Sequence, residues 1–137
     1  MAAPVTVSER PGGKYTMDVT NGRHHLYADE PLDYGSADLG PSPFEYLCAA
    51  LGSCTLVTLR AYAARKDWPV EHIAVRTEHS KRADDAGGPD INIFTRTLIL
   101  KDDLDEKSRL RMIEIANRCP VHKMLEHGNE VLTFLEG

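Results

Sequence analysis

The chain has 137 residues, of which 42% are hydrophobic and 27% are charged, and its formal net charge at pH 7 is −5. This length predicts a single domain, residues 1–137, with enough apolar side chains to bury a core. The negative charge argues against nucleic-acid binding, because phosphate contacts need a basic surface. The sequence starts without a basic segment followed by an apolar run, so we expect no secretory signal and a cytoplasmic location.

Three short strands are predicted in the N-terminal third of the chain. Val5–Ser8 and Tyr15–Val19 flank a Pro-Gly-Gly turn, and an Asn-Gly turn precedes a third strand over Arg23–Ala28. Strands joined by such tight turns form an antiparallel meander. A loop over residues 29–40 then leads to the longest predicted element.

That element is an apolar helix within residues 40–66. Ser42 is a predicted N-cap, Pro43 suits the first helical position, and Glu45 completes a capping box. The uncharged run Tyr46–Leu59 is shorter than the about 20 apolar residues of a membrane span. We therefore expect a helix that is buried on nearly every side in a soluble protein, with a second copy of the chain covering the side that the sheet leaves open.

Two further strands are predicted at Ile73–His79 and Ile91–Lys101, a short helix at Val121–His127, and a closing strand at Val131–Leu135. Strands therefore occur in runs and do not alternate with helices. This order is typical of an α+β fold, with the long buried helix packed against a mainly antiparallel sheet.

A second long helix is predicted between these strands. We expect it to begin at Asp103, with Glu106 completing a capping box, and to end at Cys119, which precedes a proline. Leu110 and Ile113, followed by Ala116 or Asn117, mark its predicted inner face.

The three cysteines, Cys48, Cys54 and Cys119, are the main candidates for a reactive site. A cysteine on an apolar helix often serves only as a small buried hydrophobe. However, one thiol on a rigid helix and another at a helix end fit a peroxidatic and resolving pair, which passes through a sulfenic acid to a disulfide. Cys48 lies about 240° around the helix from Cys54, so we interpret it as a packing residue.

A reactive thiol needs a lowered pKa, and Cys54 is too far from the start of its helix for the helix dipole to supply it. A cation is therefore needed from elsewhere. The candidates are Arg10, Lys14 and Arg23 on the N-terminal strands, and each is equally compatible with an ordinary surface charge. Glu45 lies about 180° around the helix from Cys54, so it would reach this site only from a partner chain.

Metal binding is the alternative function for the cysteines and histidines of this chain. Cys119 and His122 have a ligand-like spacing, and His24, His25 and His127 offer further nitrogens. A structural zinc site normally needs four ligands in paired spacings, and this chain has one such pair. We therefore favour thiol chemistry and expect neither a metal nor a cofactor.

Three segments resemble the OsmC/Ohr family of osmotically induced and organic hydroperoxide resistance proteins. They are Gly40–Thr55 (GPSPFEYLCAALGSCT), Arg60–Pro69 and Ala116–Lys123 (ANRCPVHK). The resemblance implies an OsmC-like fold and an intertwined homodimer, in which sheets wrap two long central helices and active sites lie at the dimer interface. It also implies reduction of organic hydroperoxides in oxidative stress defence, with Cys54 peroxidatic, Cys119 resolving, and a dithiol or lipoylated protein as reductant.

Two positions depart from the hydroperoxide-reducing members of that family. Phe44 stands where those members carry a glutamate, and Glu45 follows one place later, a shift that an OsmC-like branch shares. The family's activating arginine falls near Lys14 by spacing, and Arg23 is the nearest arginine on an adjacent strand. The predicted catalytic residues are Cys54, Cys119, Glu45 and Arg23. The alternative is a non-catalytic module that binds a small hydrophobic or thiol ligand at the dimer interface.

Overall fold

The computed structural model describes all residues from 1 to 137 and divides them into an N-terminal unit, Met1–Leu47, and a C-terminal unit, Cys48–Gly137. Each unit holds one sheet, and every strand pairing is antiparallel. The α+β class predicted from the sequence is therefore confirmed. The single domain over residues 1–137 stays a prediction.

The N-terminal sheet consists of β1 (Thr6–Glu9), β2 (Met17–Thr20) and β3 (His25–Ala28), in that spatial order. The predicted meander is thus confirmed, with β2 and β3 shorter than expected and β1 displaced by one residue. Gly12 and Gly22 occupy the two connecting turns with φ angles of 81° and 92°, which glycine adopts without the steric cost of a side chain. A short 3₁₀ turn, Leu32–Tyr34, lies in the loop that follows β3.

The loop after β3 is held by the side chain of Asp29, which is fully buried. Its carboxylate accepts hydrogen bonds from the Thr16 hydroxyl at 2.8 Å, the Glu30 N–H at 2.7 Å and the Leu39 N–H at 3.1 Å, and from the Ser36 hydroxyl. Burial by itself raises the pKa of a carboxyl group, but these four donors outweigh it and hold the pKa of Asp29 well below its usual range. The ionised carboxylate therefore joins the loop to the sheet.

The long helix α1 spans Pro43–Arg65. Its predicted capping box is confirmed, because the Ser42 N–H donates to Glu45 Oε1 at 2.9 Å and the Glu45 N–H donates to Ser42 Oγ at 3.4 Å. These bonds from Ser42 lower the pKa of Glu45. The carboxylate thus has a structural role at the start of the helix.

Burial of α1 within the chain is confined to one stripe, which consists of Leu51, Thr55, Leu59, Tyr62 and Ala63. Apolar residues on other faces, including Phe44, Leu47 and Val57, are exposed in the single chain. Burial on nearly every side is therefore not achieved by one chain, and the covering second copy stays a prediction. The helix is long and apolar enough to cross a membrane, contrary to the sequence-based estimate, but core helices of soluble proteins meet the same criteria.

The C-terminal unit contains a long hairpin of β4 (Ile73–Arg82) and β5 (Ile91–Leu100), followed by α2 (Glu106–Ala116) and α3 (Pro120–Glu126). The hairpin register runs from Ile73 opposite Leu100 to Arg82 opposite Ile91. The core forms where α1 and α2 meet the hairpin. It comprises Leu59, Tyr62, Val70, Ile73, Met112, Ile115 and Ala116.

The predicted start of α2 is wrong, and so is its predicted inner face at Leu110 and Ile113, although Ala116 is buried as expected. Asp105, rather than Asp103, is the N-cap, and it accepts a hydrogen bond from the Ser108 N–H at 2.8 Å. Leu110 and Ile113 are 56% and 53% exposed, whereas Met112, Ile115 and Ala116 are buried. The helix carries apolar residues on two stripes, so its sequence alone does not decide which stripe faces the core.

The predicted closing strand at Val131–Leu135 is also wrong for the single chain. Residues 128–137 form no strand, and Val131, Leu132, Phe134 and Leu135 are exposed. A strand needs a partner with which to pair, and the segment pairs with neither sheet of this chain. Its apolar and β-branched residues therefore form no strand here.

We expect Asp29→Asn to reduce the free energy of unfolding at pH 7, because the amide places a donor where the carboxylate accepts four hydrogen bonds. The lowered folded-state pKa makes this stabilisation complete above the unfolded value of about 3.9, and it is lost as the pH falls towards the folded-state pKa. Urea unfolding at pH 7 and pH 3 should show a smaller difference between variant and parent at pH 3. Asp33→Asn, at an exposed position, is the control. Equal losses for Asp29→Asn at both pH values would contradict this role.

Candidate thiol site

The structure brings together two of the predicted site residues, Cys54 and Cys119, whose side chains are close enough for each to shift the pKa of the other. Cys54 lies half-buried on α1, and Cys119 is 0% exposed between α2 and α3. The sequence analysis could not establish this contact, because the two residues lie 65 positions apart in the chain. Both are thiols in this structure.

The end of α2 and the start of α3 place the Cys119 thiol. Cys119 is the N-cap of α3, and Pro120 follows at the first helical position. The sulfur accepts a hydrogen bond from the His122 N–H at 3.2 Å and lies 3.7 Å from Thr55 Oγ1 on α1. The break between the helices therefore fixes this sulfur against the middle of α1.

The environment distinguishes the two thiols. Burial raises the pKa of each. At Cys119, hydrogen bonds from the His122 N–H, Thr55 and Cys54, together with the charge of Arg96, outweigh burial and lower the pKa. At Cys54, burial and the neighbouring Cys119 outweigh the Val121 N–H and Arg96, so the pKa is raised.

Of the two sulfurs, Cys119 is therefore the one on which negative charge is favoured, with the Cys54 S–H as a donor to it. This arrangement differs from the expectation that Cys54 carries the lowered pKa. Cys54 is the more exposed of the two sulfurs.

Arg96 on β5 supplies the positive charge at this pair, and the sequence analysis did not identify it. Its guanidinium donates to Thr55 Oγ1 at 3.0 Å, to Asn117 Oδ1 at 2.8 Å and to His122 Nδ1 at 2.9 Å. A signal was present in the sequence. Phe94, Arg96 and Leu98 alternate along β5, so that one face of the strand carries a charge between two apolar residues.

The ring of His122 links Arg96 to Glu126. A guanidinium has no acceptor, so His122 Nδ1 must accept the bond from Arg96 and is therefore unprotonated. The proton then lies on Nε2, which donates to Glu126 Oε1 at 2.5 Å. These contacts specify a neutral imidazole of defined tautomer.

A cavity of about 730 Å³ adjoins this polar group in the C-terminal unit. Arg96, Asn117, His122 and Glu126 line its polar part. Its apolar lining includes Leu51, Phe94, Leu98, Ile113 and Leu125. The cavity can therefore accommodate an apolar chain beside polar groups.

The predicted cations lie in the N-terminal unit. Arg10 contacts Asp18 at 3.4 Å and donates to the Tyr27 hydroxyl at 2.8 Å, and the ammonium of Lys14 lies over the Tyr15 ring. The side chain of Arg23 is exposed beside the turn before β3. Roles at the thiols for Arg23 and for the capping residue Glu45 stay predictions.

Cys48 lies apart from the thiol pair. It is half-buried and lines a second cavity of about 300 Å³ together with Gly52, Val75 and Thr77, among others. A Cβ at Gly52 would lie 3.2 Å from Thr77 Oγ1, so this glycine permits close packing of α1 on the hairpin. These surroundings are consistent with the packing role predicted for Cys48.

The proposed metal pair, Cys119 and His122, is engaged in other contacts. The Cys119 sulfur accepts the His122 N–H, and both ring nitrogens of His122 are bonded within the chain. No group of three or more His, Cys, Asp or Glu side chains is arranged to hold a metal ion. The expectation that the chain binds no metal stays a prediction.

A family model described as OsmC-like protein matches residues 35–133 of the chain. That range contains both thiols and the residues around them. A search of curated proteins found no match.

Solved structures confirm the fold. An OsmC-like protein from Mycoplasma pneumoniae is 18% identical with a TM-score of 0.70, over 92% of this chain and 88% of that one. The organic hydroperoxide resistance protein OhrB of Bacillus subtilis is 20% identical with a TM-score of 0.66, over 90% of each chain. The organic hydroperoxide resistance protein OsmC from Legionella pneumophila is 16% identical with a TM-score of 0.66, over 91% of this chain and 89% of that one.

The unequal environments of the two thiols predict an order of titration. In a Cys48→Ser background, the Cys54→Ser variant leaves Cys119 with its His122 N–H donor, so its thiolate should form at the lower pH. The Cys119→Ser variant leaves the half-buried Cys54, which should titrate at the higher pH. Thiolate absorbance at 240 nm between pH 5 and 11 measures both midpoints, and the reverse order would contradict the assignment.

Proposed function

Because the chain belongs to the OsmC-like protein family, we propose that it is a thiol peroxidase that reduces organic hydroperoxides in oxidative stress defence. The observation that supports this proposal most strongly is the proximity of the Cys54 and Cys119 side chains, which is close enough for each to shift the pKa of the other. A disulfide requires the two residues to approach closely with suitable geometry, and these thiols are neighbours in the reduced protein. Two structures of the same fold are named as organic hydroperoxide resistance proteins.

In the proposed first step, Cys54 passes its proton to Cys119 and attacks the terminal oxygen of the hydroperoxide. The O–O bond breaks, Cys54 becomes a sulfenic acid, and the alkoxide takes the proton from Cys119 to leave as an alcohol. Cys54 is the attacking sulfur because it is partly accessible, whereas Cys119 is fully buried.

In the second step, the Cys119 thiolate attacks the sulfur of the Cys54 sulfenic acid. An S–S bond forms, the S–O bond breaks, and the released hydroxide takes a proton from solvent to become water. The sum is the conversion of one hydroperoxide and two thiols into one alcohol, one water and one disulfide. A dithiol or lipoylated protein is the proposed reductant that restores both thiols.

The cavity beside the site supports an organic rather than an inorganic peroxide. Its apolar wall, which includes Leu51, Phe94 and Leu98, matches an alkyl or fatty-acyl chain. Hydrogen peroxide would gain nothing from this surface. We therefore expect a higher kcat/KM for cumene hydroperoxide than for hydrogen peroxide.

The proposed working form is a homodimer. Phe44, Leu47 and Val57 on α1 are exposed in the single chain, and so are the apolar residues of the C-terminal segment. A second copy would remove this surface from water. In a homodimer, Glu45 could approach the thiols of the partner chain, as the sequence predicts, and Arg23 remains a candidate cation for the same site.

The variants Cys54→Ser and Cys119→Ser test the two roles. Cys54→Ser should reduce consumption of cumene hydroperoxide with a dithiol reductant at least a hundredfold, because the attacking sulfur is absent. Cys119→Ser should consume about one equivalent and then stop at a sulfenic acid, which dimedone traps at Cys54. Cys48→Ser, which changes a cysteine outside the pair, should remain active. Continued turnover of Cys119→Ser would remove the resolving role.

The alternative is a non-catalytic module that binds a small hydrophobic or thiol ligand in the same cavity. The raised pKa of Cys54 favours this alternative, since it disfavours the nucleophilic thiolate. Under this alternative, organic hydroperoxide would leave the thiols of the reduced protein unchanged, and a bound apolar ligand would be displaced without covalent chemistry.

A further inference from the structure

The positive charge of Arg96 has no acidic partner. All three of its side-chain acceptors, on Thr55, Asn117 and His122, are neutral. None of the ion pairs of the chain includes Arg96, and the nearest of them joins its neighbour His122 to Glu126. A half-buried cation without a direct carboxylate partner is costly unless a nearby anion compensates it, and Arg96 lies close enough to the thiol pair for its charge to act on both sulfurs.

Two residues connect Arg96 to the Cys119 sulfur. His122 accepts from Arg96 through its ring and donates its backbone N–H to the sulfur at 3.2 Å. Thr55 accepts from Arg96 at 3.0 Å and lies 3.7 Å from the same sulfur. The cation and the thiolate are therefore held by the same two neighbours.

We propose that Arg96, oriented by His122 and Glu126, is the positioning group that keeps the Cys54–Cys119 pair ionised. The benefit of this arrangement to the protein rests on the proposed function, but ionisation of the two thiols can be measured without peroxide. Arg96 supplies the charge that neither Arg10, Lys14 nor Arg23 is shown to supply. His122 and Glu126 act through Arg96 and make no contact with the reacting oxygen in this scheme.

The orientation follows from the hydrogen bonds. Arginine has a long flexible side chain, and here acceptors from three separate places, α1, the end of α2 and α3, fix its planar guanidinium. Glu126 accepts from His122 Nε2 and so keeps Nδ1 free of a proton for Arg96. The carboxylate lies on the far side of the imidazole, where it can set the tautomer without pairing directly with the guanidinium.

The charged and titratable groups in this set come from three elements. They are Cys54 on α1, Arg96 on β5, and Cys119, His122 and Glu126 at the start and along the length of α3. Of these, Arg96 alone carries a fixed positive charge. Its removal should therefore change the ionisation of the thiols more than any other single substitution outside the pair.

The test compares Arg96→Met with Arg96→Lys in a Cys48→Ser background, with thiolate formation followed at 240 nm. Arg96→Met should raise the midpoint of the first thiol by about one pH unit or more, which lowers the thiolate fraction about tenfold at pH values below the midpoint. Arg96→Lys retains the charge and should recover part of this shift. Circular dichroism establishes that the variants are folded.

Arg76→Met is the matched control. Arg76 is exposed on β4 and pairs with Thr97, so its side chain and that of Arg96 lie on opposite faces of the hairpin. It removes an equal charge from the adjacent strand and should leave the midpoint unchanged. If Arg96→Met titrates like Arg76→Met, the inference is overturned.

A second pair of variants leaves Arg96 in place and tests the positioning role even if Arg96→Met does not fold. In His122→Gln, the amide oxygen can accept from Arg96 while the amide nitrogen donates to Glu126, so the midpoint should stay close to that of the parent. His122→Phe has no acceptor for Arg96 and should shift the midpoint upward. Equal midpoints for the two variants would overturn the positioning role.

These outcomes are separate from the fate of the proposed function. If the thiolate titration shifts as expected while cumene hydroperoxide is not consumed, the positioning role stands and the peroxidase proposal fails. If peroxide is consumed by the parent and Arg96→Met leaves the titration unchanged, the peroxidase proposal stands and the positioning role fails.

Discussion

The proposed chemistry of this protein depends on the proximity of one sulfur on a long helix to one sulfur at a helix boundary. Cys54 is held by the packing of α1, whose buried stripe includes its neighbour Thr55. Cys119 is held because α2 ends at Ala116 and α3 begins at Pro120, which leaves the thiol as the N-cap. A shift of either helix end by one residue would rotate a sulfur away from its partner. The redox proposal therefore depends on packing as much as on the presence of two cysteines.

The surroundings of this pair explain why the two thiols are not equivalent. Burial disfavours a thiolate on either residue, but Cys119 has a backbone donor, a hydroxyl neighbour and a nearby guanidinium. Cys54 has the greater access to solvent and donates to its partner. The two properties that the proposed reaction needs are thus divided between the thiols. The environment of the buried Cys119 stabilises a negative charge, and the more accessible Cys54 can meet the hydroperoxide.

Much of the fold could be predicted from the sequence, because local signals are strong in this chain. The Pro-Gly-Gly and Asn-Gly turns specify the N-terminal meander, and Ser42 with Glu45 marks the start of α1 through a capping box that the structure contains. The hairpin follows from two β-rich segments around a Gly-rich tip. Motifs around Cys54 and Cys119 suffice for the family, which the match over residues 35–133 confirms.

The remaining features depend on tertiary contacts that local patterns do not specify. Two apolar stripes compete on α2, and only packing selects Met112 and Ile115 over Leu110 and Ile113. The segment Val131–Leu135 has the composition of a strand but pairs with neither sheet of the chain. Arg96 lies 42 residues after Cys54 in the sequence, and only the packing of β5 near α1 and α3 makes it part of the site.

The most direct test of the central claim is a titration of fully reduced protein with one equivalent of cumene hydroperoxide, followed by intact mass and peptide mapping. The account predicts a loss of two hydrogens per chain and a single new disulfide between Cys54 and Cys119, with Cys48 still a thiol. Hydrogen peroxide at the same concentration should react more slowly. Thiols that survive excess cumene hydroperoxide unchanged would contradict the account and favour a ligand-binding module, and a disulfide that includes Cys48 would contradict the assigned pair.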